Sequence, residues 1–134
     1  MEPFEASMKS IARNMTLLTV ALLLATAANA HHSFAAEFLA DETATFHGVV
    51  TEVWFKNPHV RYYIEITKED GNKETWDIRA SSPTLLVRKG WTRDTIKEGD
   101  EITVTGFLGR DDRKILSVQT IELADGTILG QSSY

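Results

Sequence analysis

The chain has 134 residues, 14 Lys and Arg against 19 Asp and Glu for a formal net charge of −5, and no cysteine. That balance excludes the basic footprint a nucleic-acid binder presents to phosphates and disfavours adsorption to anionic lipid. The missing thiols exclude disulfides, a cysteine nucleophile and any CxxC redox or zinc motif.

The first thirty residues read as a targeting segment. Residues 16–28, TLLTVALLLATAA, are apolar or small and uncharged; Lys9 and Arg13 precede them and Ala28-Asn29-Ala30 follows. A basic n-region, a short apolar run and an A-x-A site make a secretory signal peptide over residues 1–30. A membrane anchor is the competing reading. A span needs about 20 apolar residues, and no cluster of Lys or Arg follows this run. Cleavage after Ala30 delivers a periplasmic or secreted protein with His31 as its first residue. Residues 31–134 then suit one small domain whose stability comes from packing alone. Its net charge stays at −5, because Lys9, Arg13, Glu2 and Glu5 leave together.

Residues 31–44, HHSFAAEFLADETA, are expected to form a polar arm. Phe34 and Phe38 stand four apart in it, which allows one helical turn. The barrel domain is expected over residues 45–134. Residues 46–55, FHGVVTEVWF, are rich in β-branched and aromatic types and predict the first strand. Gly48 inside it predicts a bulge or bend, and Asn57-Pro58 breaks the run. Residues 59–67, HVRYYIEIT, alternate, placing Val60, Tyr62, Ile64 and Ile66 on one face and His59, Arg61, Tyr63 and Glu65 on the other. Asp70-Gly71 signals a hairpin, and residues 74–80 alternate again with Trp76, Ile78 and Ala80 inward. Ser82-Pro83 reads as an N-cap followed by proline at the first helical position. A two-turn helix follows, Gly90 suits the position just past its end, and Trp91 is expected to pack back towards the barrel. Residues 101–108 and 115–123 predict the fourth and fifth strands around the polar loop GRDDRK. The order β-β-β-α-β-β predicts a mainly β fold. It is the order of a small five-stranded OB-like Greek-key barrel with one short helix between strands three and four.

The segments HHSFAAEF, GVVTEVWFKNPH and SPTLLVRKGWTRDTIKEGDEITVTG resemble an uncharacterised family of exported bacterial proteins, the domain-of-unknown-function family 6152. Asn57-Pro58-His59, Ser82-Pro83, Gly90-Trp91 and Gly99-Asp100 carry the resemblance. It implies an extracytoplasmic single-domain protein and supplies no activity and no catalytic residues.

Two chemistries stand out. The first uses the histidines. A free N-terminal His31 offers its α-amine and ring Nδ1 to one metal in a single chelate, and a third nitrogen makes a set that suits Cu(II). An α-amine with pKa about 7.7–8.0 gives up its proton to a metal near neutral pH. The terminus resembles the histidine brace of lytic polysaccharide monooxygenases and of some periplasmic copper carriers, in the terminus alone. His59 is the preferred third ligand, with His47 and His32 as alternatives; incidental histidines are the plainer reading. The second chemistry is a binding face. Trp54, Arg61, Tyr63 and Trp91 are the ligand-binding candidates, with Arg79 and Arg88 nearby. Aromatics beside arginines suit sugars, small anions or a peptide, while Trp76 falls on the core stripe. Ser81 and Ser82 are explained by helix capping, so a non-enzymatic protein is expected. A structural subunit with an envelope protein partner is the third class.

Overall fold

The computed structural model describes residues 8, 9, 11–15 and 34–130. The chain divides after Ala36 into two units. In the first, residues 8, 9 and 11–15 are helical and exposed. The apolar run at 16–28, the expected cleavage site and both His31 and His32 lie outside the described residues. Among the described residues no helix is long and apolar enough to cross a membrane. Residues 34–37 are helical, the single turn that the Phe34/Phe38 spacing allows.

The second unit runs β1 (Phe38–Trp54), β2 (Arg61–Thr67), β3 (Lys73–Arg79), α1 (Pro83–Arg88), β4 (Glu101–Gly109), β5 (Ile115–Leu123) and β6 (Ile128–Gly130). The strands lie in the order β3-β2-β1-β4-β5-β6. β3 also pairs in parallel with β5, Asp77–Arg79 against Ile115–Ser117, and this closes a ring of five. The ring of five and the helix between β3 and β4 agree with the expected OB-like arrangement, whereas the strand count is six and not five. The short β6, paired to β5 at Thr120–Glu122, is an addition the sequence did not signal.

β1 is longer than its sequence suggests. It starts at Phe38, inside the expected arm, and joins β4 from Phe38 to Val49 before joining β2 from Val49 to Trp54. Residues 40–43 are exposed on both faces, so they carry no alternation to betray a strand. The handover between partners occurs beside Gly48. A Cβ there would sit 2.7 Å from the Glu65 carbonyl oxygen and 2.9 Å from Ile66 Cγ2. The bend expected at Gly48 is therefore a place where only glycine lets two strands approach. The bulge itself comes later, between Val50 and Glu52.

Alternation in β2 and β3 is as the sequence indicates. Val60, Tyr62, Ile64, Ile78 and Ala80 are buried. Trp76 is half-buried and packs on Phe46 with ring centroids 4.3 Å apart. Tyr62 is fully buried, and its hydroxyl has no hydrogen-bond partner. Burial pushes its pKa up to about 12 from the ordinary 10.0. The unfolded chain therefore ionises this phenol first, and the stability it contributes is present below about pH 10 and lost as pH rises towards 12. Tyr62→Phe removes both the alkaline loss and an unsatisfied buried group. It is expected to raise stability at neutral pH by about 1 kcal/mol and to flatten a urea-unfolding series above pH 10.

α1 begins as expected. Ser82 Oγ accepts the Leu85 N–H at 3.4 Å, with Pro83 in the first turn. At its end the Gly90 N–H donates to the Val87 carbonyl and the Trp91 N–H to the Leu86 carbonyl. This Schellman closure, with Gly90 at φ 88°, turns the chain so that Trp91 follows Leu86 into the core. Both are essentially inaccessible. Trp91 is thus a core residue, and the expectation that it lines a ligand surface is corrected.

Candidate ligand-binding site

The outward side chains of β1, β2 and β3 form one continuous face. Register pairs Trp54 with Arg61 and Arg61 with Arg79, then Glu52 with Tyr63 and Tyr63 with Asp77. Trp54 meets Tyr63 edge-on, centroids 6.0 Å apart. Its indole N–H donates to Glu52. The three expected residues Trp54, Arg61 and Tyr63 are therefore brought together, and Arg61 reaches the Tyr63 hydroxyl at 3.5 Å.

Arg61 is also paired with a carboxylate. Asp77 Oδ2 lies 3.5 Å from Arg61 and 3.1 Å from Arg79 Nε. Arg79 continues to Glu37 at 2.8 Å, and Glu37 also reaches Arg113 at 3.7 Å. The hydrogen bond from Arg79 holds the Glu37 carboxyl below its ordinary 4.5, against the opposing effect of partial burial. This chain of charges locks the start of β1 to the end of β3 and the β4–β5 loop. It reads as a structural clasp, with Arg79 as its most buried cation.

The open side of Trp54 is different. A cleft of about 590 Å³ lies between the end of β1 and the segment joining α1 to β4. Trp54, Phe55 and Lys56 line one side, and Arg93 and Lys97 line the other, with Glu52 and Glu98 at its margin. Trp54 is 38% exposed, unusual for so large an apolar surface, and the Lys56 ammonium sits 4.1 Å from its ring centroid. The sequence reading missed Lys56, Arg93 and Lys97. The only signal is the basic pair four apart, Arg93 and Lys97, in a segment that forms consecutive turns.

The described histidines stand apart. His47, exposed on β1, shares a hydrogen bond with Thr103 through Nδ1 at 3.1 Å. His59 is exposed in the β1–β2 turn, two residues before β2 begins, so it is not the strand-opening residue expected. Seven residues of β1 separate His47 from Trp54, and His59 lies beyond the Trp54–Arg61 pair. At about 3.3 Å per residue that is roughly 20 Å of strand, and the two stand as separate alternatives for a third ligand beside His31. Among the described residues no group of three His, Asp or Glu is placed to hold a metal ion.

Residues 20–117 match a protein-family model described as a family of unknown function, DUF6152. The chain belongs to this family. The match runs through β1 to β4 and into β5, so the DUF6152 segment contains both the clasp and the whole cleft. No curated protein matches the chain. Among solved structures it is similar to the mitochondrial single-stranded DNA binding protein Rim1 from S. cerevisiae. The two are 14% identical with a TM-score of 0.49, over 64% of this chain and 96% of that one.

Proposed function

We propose that this DUF6152 protein is an exported, non-catalytic binding module that holds a small ligand in the cleft beside Trp54. The observation that carries the reading is an exposed indole at the edge of a concavity of about 590 Å³, within the range of small-molecule sites. Export is supported by the pattern of residues 1–30. Binding in preference to catalysis is supported by groups already committed elsewhere: Ser82 caps α1, and Asp77 and Glu37 hold arginines. A net charge of −5 turns long polyanions away.

The terminal copper site is the second reading. His59 favours it over His47, because His59 is exposed and makes no hydrogen bond or ion pair among the described residues. Its imidazole is available to a chelate begun at His31. One thermal-shift screen, on domain processed to His31, tests both readings. Ligands of the cleft raise the midpoint by several degrees once well above their Kd, and Trp54→Ala removes those shifts. A Cu(II) shift disappears when one residue precedes His31 and weakens in His59→Ala. If Trp54→Ala leaves every organic-ligand shift in place, the cleft reading is wrong.

A further inference from the structure

The charges around the cleft narrow the chemistry of what fills it. Elsewhere in the barrel Arg61, Lys68, Lys73, Arg79, Arg113 and Lys114 each have a carboxylate within 4.0 Å, while Arg88 and Lys89, side by side at the end of α1, have none among the described residues. Lys56, Arg93 and Lys97 have no such partner among the described residues, and all three converge on the cleft. In a chain with 19 acids for 14 bases, a gathering of uncompensated cations runs against the composition. Of the two carboxylates at the margin, Glu52 is engaged by the Trp54 indole N–H. It keeps its charge, so Glu52 and Glu98 together set two negative charges against the three cations, and the lining is positive by one.

We infer that the cleft takes a small organic anion with a planar ring, its carboxylate or phosphate among Lys56, Arg93 and Lys97 and its ring against Trp54. This rests on the binding reading above. A guanidinium fork and two ammonium groups match either oxyanion. The exposed indole gives a planar apolar surface for the rest of the molecule. Size follows from the charge distribution. Charges more than a Debye length away, about 10 Å at 0.1 M salt, are screened, so a compact anion feels the nearby cations. A long polyanion also meets the acidic remainder of the surface.

The test follows the Trp54 Nε1–H signal by NMR during titration with benzoate, phenyl phosphate, inorganic phosphate, benzyl alcohol and benzylammonium. Benzoate and phenyl phosphate are expected to move it saturably, and the tighter of the two identifies the headgroup. Both should weaken as salt is raised. Benzyl alcohol and benzylammonium are expected to bind at least about tenfold more weakly. Arg93→Ala combined with Lys97→Ala changes two exposed side chains. It should lower anion affinity about tenfold without moving the thermal midpoint. Benzyl alcohol binding as tightly as benzoate, or full benzoate affinity in the double variant, overturns the anion and leaves the binding module standing. Inorganic phosphate binding as tightly as phenyl phosphate overturns the planar ring. Silence at Trp54 with every compound overturns the binding module itself.

Discussion

Trp91→Ala is expected to lower the unfolding free energy by about 3–5 kcal/mol. The indole is 1% exposed and sits in the same cluster as Leu86, Ile96 and Ile102. Alanine leaves a cavity whose walls are strands of a closed ring and the end of a capped helix. Neither can move far to fill it, so the cost belongs at the upper part of the range for large-to-small changes. A domain of this size has about 5–15 kcal/mol in total, and the variant forfeits a large part of that. Urea denaturation followed by circular dichroism is the direct measurement. Trp54→Ala is the natural control. That side chain is partly exposed and loses chiefly its edge contact with Tyr63 and the Lys56 ammonium, together about 1 kcal/mol. Large loss at 91 with small loss at 54 separates the core tryptophan from the cleft tryptophan. A loss under about 1 kcal/mol at 91 would place Trp91 back on the surface and return it to the ligand-binding set.

That contrast marks where local sequence stops being informative. Residues 59–67 alternate because one face of β2 meets the core and the other meets solvent, so period two is written directly into the residue types. Ser82-Pro83 and Gly90 fix the ends of α1 by backbone chemistry that acts within a few residues. The same closure places Trp91 inside, but its depth depends on which strands stand opposite. An aromatic after a helix end reads equally well as an anchor or as an exposed platform. The first half of β1 was illegible for the opposite reason. After the buried Phe38, residues 40–43 are exposed, and the strand is held to β4 by pairing at Phe38 and again from Thr43 onward, so backbone pairing specifies a strand that these side chains do not announce.

The site was half legible on the same grounds. Trp54, Arg61 and Tyr63 come together because register across two adjacent strands is short-range information. The clasp from Glu37 to Arg79 joins residues 42 positions apart. The cleft joins Lys56 to Arg93 and Lys97. Both require the ring to close, and no local pattern encodes that. The histidine reading turns on His31, which lies outside the described residues, with His47 in the middle of β1 and His59 in the β1–β2 turn as separate alternatives for a third ligand.

Ring closure is itself testable at Gly106. β4 and β5 slip register between Thr105 and Gly106, and there the two backbones touch. A Cβ on Gly106 would collide with the Ser117 carbonyl oxygen and stand 2.8 Å from the Ser117 carbonyl carbon and 3.1 Å from Leu116 Cγ. The obstacle is main chain, which cannot swing aside as a side-chain end does. Ser117 is also the residue that pairs with Arg79 across the parallel β3–β5 seam. A methyl group at 106 therefore pushes β5 at the point where it closes the ring. Gly106→Ala is expected to cost about 3 kcal/mol or more, the severe end of overpacking. Amide exchange should quicken at Asp77–Arg79 before it quickens in the β2–β3 hairpin. Gly71→Ala is the matched comparison. Gly71 has φ 81° and nothing within 4 Å of an added Cβ, so that variant pays only backbone strain of about 1–2 kcal/mol. Gly106 has no such strain to relieve. Alanine there would otherwise gain about 0.4–1 kcal/mol by restricting the unfolded chain, so a measured loss isolates the collision. Gly106→Ala with unchanged stability and unchanged exchange at β3 would mean that β5 is not seated against β4 and β3 as the ring requires.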